Sequence, residues 1–131
     1  LQLQSTWCKG GRPRIVPICT DEQRYWLEQA KLIAGDITCS LIPPDKSYKR
    51  HRDVYDKQTQ RIGLKKLHGL RHAYAQQRYE KLTGLKAPIT GGPTLKELTK
   101  KQKYLDRLAR VILSEELGHS RIQITVNYLG R

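Results

Sequence analysis

Two stretches of the chain carry side chains that could act on a phosphate ester. In the first, KLHGLRHAYAQ (66–76), His68 and Arg71 lie three residues apart and would share one face of a helix. A helix N-terminus attracts anions through its free N–H groups, and an arginine there adds a planar fork that fits two phosphate oxygens. Taken alone, the pattern is more often a solvated basic turn.

In the second stretch, LGHSRIQITVNY (117–128), His119 follows a glycine and Tyr128 comes nine residues later. A phenol has a pKa of about 10 and is a poor nucleophile at neutral pH, but nearby cations favour the reactive phenolate. The structural alternative is a helix–turn–helix joint with a buried tyrosine. Phosphate chemistry therefore requires a fold that brings the two stretches together.

The first eighteen residues are predicted to form a β-hairpin. Residues 1–7 (LQLQSTW) alternate apolar and polar side chains, KGGR (9–12) is typical of a tight turn, and RIVPI (14–18) is a β-branched return strand. Pro17 indicates that this second strand lies at a sheet edge or is ending.

The rest of the chain is predicted to be mostly helical. Capping boxes at Thr20, Thr94 and Ser120 mark helix starts, and the glycines at 35, 63, 84 and 118 mark helix ends. The predicted helices span residues 20–35, 46–62, 68–83, 94–117 (with a break near residue 100) and 120–129. The fold class is therefore mainly helical α+β, with one small antiparallel sheet packed on about five helices.

The helix over residues 68–83 matters most for the candidate site. Its predicted inner face carries Leu70, Ala73, Tyr74 and Gln77. His72 follows Arg71 directly, so we expect it on another side of the helix, in the core or behind the site.

The charge balance favours a polyanionic partner. Lys plus Arg number 25 and Asp plus Glu number 12, which gives a formal charge of +13. Neutralising phosphates releases counterions from nucleic acid, whereas no long apolar run or segregated basic amphipathic helix indicates a membrane.

Cys8, Cys19 and Cys39 are an odd number without metal-ligand spacing, which favours free thiols in a reducing cytosol. The chain has no methionine, which suggests a piece of a longer protein.

The two helical motifs, taken in order, resemble a known family. HGLRHAYA followed by LGHSxxxxTxxYL is similar to the C-terminal catalytic half of the tyrosine recombinases, the phage integrase family. CKGGRPRIVPI (8–18) resembles the β-hairpin of that family, which carries an active-site lysine at its turn. The resemblance covers most of the chain and implies DNA breakage and rejoining, used for integration and excision of a mobile element.

The resemblance also implies a role for each matching residue. Tyr128 would attack a DNA phosphodiester to form a 3′-phosphotyrosine, and Arg71 would hold the non-bridging oxygens of that phosphate. His68 would assist in the same contact or in proton transfer, His119 would hydrogen-bond the phosphate, and Lys9 would protonate the leaving 5′ oxygen. The family needs no divalent metal or other cofactor, because these side chains supply the positive charge.

The chain departs from the family pattern in several places. The family's first catalytic arginine and its N-terminal DNA-clamping domain would lie upstream, so we expect residues 1–131 to be a partial catalytic domain. The connection over residues 84–104 is longer than is usual, and only three residues follow Tyr128, so nothing downstream would pin its helix. We therefore expect this chain to bind DNA weakly and not to recombine DNA alone.

Further basic residues and the expected partners follow from the same resemblance and from the charge. The expected DNA-backbone contacts are Arg12, Arg14, Lys65, Lys66 and Arg121. The basic run KSYKRHR (46–52) could be either a DNA contact or a solvated face. The full enzyme is expected to act as a tetramer on double-stranded DNA in the cytoplasm, encoded by a bacterium or a phage.

Three other functions explain part of the sequence. A helix–turn–helix DNA-binding module without chemistry would use residues 103–117 and 120–129, but it would leave His68, Arg71 and His119 scattered. A type IB topoisomerase or a telomere resolvase would share the chemistry without exchanging strands. An RNA-binding protein is the weakest alternative, because there is no aromatic stacking platform.

Overall fold

The structure is a computed structural model that describes residues 1–8, 10–38, 40–65 and 67–131. The predicted active-site Lys9, the predicted DNA contact Lys66 and Cys39 lie outside the described residues. The chain divides into two compact units: the first comprises Leu1–Pro17 and His68–Arg131, and the second comprises Ile18–Leu67. The predicted fold class is confirmed, since a small antiparallel sheet accompanies a mainly helical chain.

The elements follow one another in the predicted order. The two strands are β1 (Gln2–Leu3) and β2 (Arg14–Ile15). The helices of the described residues are α1 (Asp21–Thr38), α2 (Tyr48–Arg61), α3 (His68–Thr83), α4 (Lys100–Glu116) and α5 (Val126–Leu129). Three single 3₁₀ turns, at Ser5–Trp7, Pro88–Thr90 and Ile122–Thr125, lie between them.

The hairpin is shorter than predicted. Gln2 pairs with Ile15 and Leu3 with Arg14, so β2 holds the backbone of Arg14 in a fixed register. The first strand was expected to continue to residue 7, but Ser5–Trp7 form a 3₁₀ turn instead. The N–H groups of Trp7 and Cys8 donate to carbonyls three residues earlier, at 3.1 Å each, and so do not pair across the hairpin.

The second unit contains α1 and α2. Thr20 begins α1 as predicted, because its hydroxyl accepts a hydrogen bond from the N–H of Gln23 at 3.1 Å. Gly35, the predicted stop, adopts φ 65° and interrupts the helix, which then continues to Thr38. Ser47 caps α2 by accepting from the N–H of Arg50, and Gly63 follows the helix with φ 76°, where left-handed backbone favours glycine.

The core of the first unit lies between α3, α4 and α5. Its buried members are Ala75, Tyr79, Ala87, Ala109, Leu113, Leu117, Tyr128 and Leu129. The predicted inner face of α3 is wrong for Leu70, which is 65% exposed and lies nearly half a turn from the buried Ala75 and Tyr79. The hydrophobic pattern does not predict the inward face correctly, because polar residues of this helix, among them His68 and Arg71, line a pocket.

The end of the chain is held by residues upstream of it. The side chain of Leu129 is fully buried. Gln76 donates to the carbonyl of Tyr128 at 3.1 Å, and Arg110 donates to the carbonyl of Gly130 at 3.2 Å. The expectation concerned anchors downstream of the Tyr128 helix, and the structure adds that α3 and α4 anchor this helix from upstream.

Two of the predicted capping boxes do not begin helices. Thr94 and Glu97 bond to each other within a turn, and the box that caps α4 is formed by Thr99 and Gln102 instead. At Ser120 no box forms, because Arg121 occupies the N-cap position of the 3₁₀ turn without a side-chain bond. The same sequence pattern therefore begins a helix at Thr20 but forms only a turn at Thr94.

The connection between α3 and α4 is ordered and packs beneath the C-terminal end of the chain. Ala87 and Leu98 are buried within it. A Cβ atom built on Gly130 would lie 3.0 Å from the backbone nitrogen of Ile89, so the two segments approach closely. The long connection thus supports the short helix that carries Tyr128.

Gly92→Ala is expected to lower the free energy of unfolding by about 3 kcal/mol. The added Cβ would lie 1.8 Å from the carbonyl oxygen of Lys86, so the backbone itself would have to move. Urea unfolding followed by circular dichroism measures the change. Gly69→Ala is the matched control: a Cβ there meets nothing within 4 Å, and a helix favours alanine over glycine. Equal stabilities for the two variants would contradict the prediction.

Candidate functional site

One pocket of the first unit gathers side chains from distant parts of the chain. It is lined by Arg14, His68, Arg71, Leu117, Gly118, His119 and Tyr128. Four of the five residues predicted to be catalytic therefore lie together, and the fifth, Lys9, is not among the described residues. The helix–turn–helix alternative required His68, Arg71 and His119 to be scattered, and they are not.

His119 and Tyr128 are in direct contact. The Nε2 atom of His119 lies 3.0 Å from the hydroxyl oxygen of Tyr128, and the tyrosine is only 5% exposed. Gly118, at φ 71°, reverses the chain after α4, and the backbone N–H of His119 then donates to the carbonyl of Ser114 at 2.7 Å. This turn fixes the imidazole beside the phenol.

Arg71 approaches the same nitrogen of the His119 imidazole. Its Nη2 atom donates to the carbonyl oxygen of Leu117 and lies 3.4 Å from Nε2 of His119. Its Cζ atom is 6.0 Å from the centroid of the Tyr128 ring. Its Nε atom is buried and has no hydrogen-bond partner within the described structure. Since a buried N–H without an acceptor is costly, an anion in the pocket would satisfy it.

Two further histidine rings surround Tyr128. The ring centroid of His72 lies 4.7 Å from that of Tyr128, and the centroid of His68 lies 6.5 Å away. His72 was expected on another side of the helix, in the core or behind the site. It is half-buried, and its ring contacts that of the tyrosine. The signal that could have found it is its spacing of four residues from His68, which puts both rings on one face of α3.

A buried ion pair supports the end of α4 just before the pocket. Glu116 accepts from Arg78 at 2.9 Å and from the hydroxyl of Tyr74 at 2.7 Å, and its side chain is only 7% exposed. The next three residues, 117–119, line the pocket. Sequence reasoning missed this glutamate, because nothing in its neighbourhood indicates partners 38 and 42 residues away.

The predicted DNA-backbone residues have different surroundings. Arg12 and Arg121 are exposed in the first unit, and Lys65 is exposed in the second unit, just after α2. Arg14 is half-buried and lines the pocket. Of the four described residues in this group, Arg14 alone therefore shares a cavity with His119 and Tyr128.

The charges around His119 favour its neutral form. Burial lowers the pKa of the His119 imidazole below its ordinary value of 6.5, and the positive charges of Arg71, Arg14 and Arg12 lower it further. A neutral imidazole at physiological pH can accept a proton from the phenol that it contacts. A hydroxyl beside a neutral imidazole is an arrangement that covalent catalysis uses, and Tyr128 and His119 are arranged in this way.

An NMR titration of the imidazole should give a midpoint below 6.5 for His119. The unfolded chain then binds more protons than the folded chain over the interval between the two pKa values. The free energy of unfolding should therefore increase as pH rises through this interval and stop responding to this group above 6.5. Arg71→Gln should raise the His119 midpoint, because one cation is removed. A wild-type midpoint at or above 6.5 would contradict the prediction.

No group of three or more His, Cys, Asp and Glu side chains is arranged to hold a metal ion within the described ranges. In the same part of the chain, no helix is both long and apolar enough to cross a membrane.

One family of known proteins matches the sequence. The profile of the family described as Integrase aligns with residues 6–77, more than half of the chain. The match begins after β1, includes β2 and the HxxR motif, and ends before His119 and Tyr128. No curated protein and no solved structure matches the chain.

Proposed function

Because the chain belongs to the integrase family of tyrosine recombinases, which indicates a role in DNA recombination, we propose that its pocket breaks and rejoins DNA through Tyr128. The observation that carries this proposal is the 3.0 Å contact between the Tyr128 hydroxyl and His119, beside the unpaired Nε of Arg71. A nucleophile, a base and an anion-binding group are then adjacent to one another.

In the proposed first step, neutral His119 takes the phenolic proton while the Tyr128 oxygen attacks the phosphorus of a DNA phosphodiester. A bond forms between tyrosine and phosphorus, and the bond from phosphorus to the 5′ oxygen breaks. The leaving 5′ oxygen takes a proton from Lys9, a role that the family resemblance implies. The resulting 3′-phosphotyrosine retains the energy of the broken ester, so a 5′ hydroxyl from another strand can reverse the step.

Arg71 and His68 would stabilise the transition state. The attacked phosphate gains negative charge on its equatorial oxygens, and a fixed guanidinium can stabilise this charge without reorganising. The contact between Arg71 and the carbonyl of Leu117 restrains the guanidinium before DNA arrives. This preorganisation would replace the divalent metal that many phosphoryl-transfer enzymes use.

The proposed biological reaction is strand exchange between two DNA duplexes, which integrates or excises a mobile element. The full enzyme would act as a tetramer on double-stranded DNA. A type IB topoisomerase would form the same covalent intermediate, but the family match favours a recombinase. The topoisomerase would convert a supercoiled circle into a relaxed one, whereas a recombinase joins ends from different duplexes.

A trapping experiment tests the proposal. The 131-residue chain is incubated with a duplex library of randomised sequence, in which one 5′-bridging oxygen is replaced by sulfur. A thiolate leaves without needing a proton donor, so cleavage does not depend on Lys9 and the released thiol religates poorly. We expect a low yield of covalent adduct, and mass spectrometry of the digested adduct should place the nucleotide on Tyr128.

The matched control is Tyr128→Phe, which keeps the ring and removes the nucleophile. No adduct should form with this variant. An adduct on another residue, or none with the unaltered chain, would overturn the proposal. A full yield would instead contradict the expectation that this chain alone is a weak enzyme.

A further inference from the structure

Arg14 lies in the pocket, although a residue that only contacts the DNA backbone could lie on the exposed surface. It belongs to β2, where pairing with Leu3 sets its register, and its side chain reaches the cavity that contains His119 and Tyr128. A Cβ atom built on Gly118 would lie 2.8 Å from Nη1 of Arg14. The guanidinium therefore lies directly over the turn that presents His119.

The hydrogen-bond donors of Arg14 are poorly satisfied. Its Nε atom is buried and has no partner within the described structure. Its Nη1 atom donates only to the carbonyl of Arg12, at 3.4 Å, which is long for such a bond. Arg71 shows the same feature, since its Nε atom is also buried without a partner. Two unpaired guanidinium N–H groups thus line one cavity.

We propose that Arg14 is a second phosphate-binding guanidinium, so that the scissile phosphate is held between Arg14 and Arg71. This inference rests on the proposed function of the same pocket. A phosphodiester carries one negative charge, and its pentacoordinate transition state carries about two. Arg14 would add a positive charge beside that of Arg71, whereas a neutral His119 adds none and remains free to accept the proton of Tyr128.

The effect of Arg14 on His119 agrees with this position. The positive charge of Arg14 is one of the causes that lower the pKa of the imidazole, after burial and Arg71. The guanidinium is therefore close enough to act on the imidazole with which it lines the pocket.

Binding of inorganic phosphate to the 131-residue chain tests the inference without requiring cleavage. NMR shifts of the His119 and Tyr128 rings are followed as phosphate is added. Arg14→Met keeps the length of the side chain but removes its charge and its donors. We expect the dissociation constant to rise about tenfold in this variant, as for the loss of one charge-assisted contact.

Two further variants separate binding from folding. Arg107→Met removes an exposed arginine of α4 that does not line the pocket, and it should leave phosphate binding unchanged. Arg14→Lys keeps the charge and should bind phosphate with an affinity between those of the unaltered chain and Arg14→Met. Thermal unfolding of all variants shows whether the hairpin remains folded.

The outcomes distinguish this inference from the proposed function. If the unaltered chain binds phosphate and Arg14→Met binds it equally well, the second guanidinium is ruled out while the Tyr128 chemistry stands. If Arg14→Met loses affinity no more than Arg107→Met does, the inference is also overturned. If phosphate fails to shift His119 and Tyr128 in the unaltered chain, both the inference and the anion site fail.

Discussion

Arg71→Ala is expected to lower the rate of covalent adduct formation about 10²–10³-fold, the usual cost of removing one preorganised donor from a transition state. Arg71 is held next to Tyr128, the proposed nucleophile, with Nη2 bonded to the carbonyl of Leu117 and Nε unpaired in the cavity. Alanine removes the guanidinium and its hydrogen-bond donors from the cavity. Single-turnover trapping on the sulfur-substituted duplexes measures the rate, and Tyr128 remains available to react.

Two controls keep this prediction specific. Arg71→Lys retains the charge but cannot bond the Leu117 carbonyl and the phosphate with one planar group, so it should recover only a small part of the rate. Arg107→Ala removes an exposed arginine from α4 and should react like the unaltered chain. A rate for Arg71→Ala within threefold of the unaltered chain would remove Arg71 from the reaction.

Asp106→Ala is expected to lower the free energy of unfolding by about 3–5 kcal/mol, because it leaves a largely buried arginine without its partner. Asp106 accepts from the hydroxyl of Tyr79 at 2.7 Å and from Arg110 at 2.9 Å. Burial, followed by the hydrogen bond to Asp106, raises the pKa of Tyr79, so the phenol stays protonated and donates. Arg110 also holds the carbonyl of Gly130.

Urea unfolding measures this loss, and a double-mutant cycle separates its parts. Tyr79→Phe removes one donor and should cost about 1 kcal/mol. Arg110→Met removes the unpaired charge, so Asp106→Ala should be less destabilising in that background than alone. A cost below 1 kcal/mol for Asp106→Ala would show that this ion pair does not hold α4 and the chain end together.

Parts of the pocket's geometry could be predicted from the sequence, because its main residues belong to two local patterns. His68 and Arg71 share a helix face by their spacing of three residues. The Gly-His turn and the following tyrosine lie within twelve residues, so a single chain reversal brings them together. In both cases the geometry depends on nearby residues, and sequence order therefore indicates it well.

Contacts between distant segments could not be predicted in this way. The place of Arg14 in the pocket depends on the register of a two-residue strand and on the packing of that strand near α4. Glu116 meets Arg78 and Tyr74 only after α3 and α4 have packed. The inner face of α3 was misplaced for a related reason, since hydrophobicity does not indicate a face that is polar because it lines a site.

The Tyr128 hydroxyl bonds to a histidine of its own polypeptide, and Gln76 holds the carbonyl of the same tyrosine from α3. Under the proposed function, each copy of the protein would therefore attack with its own Tyr128, beside its own Arg71, an arrangement known as delivery in cis. A copy that lacks the phenol and a copy that lacks the guanidinium would then be unable to complement one another when mixed.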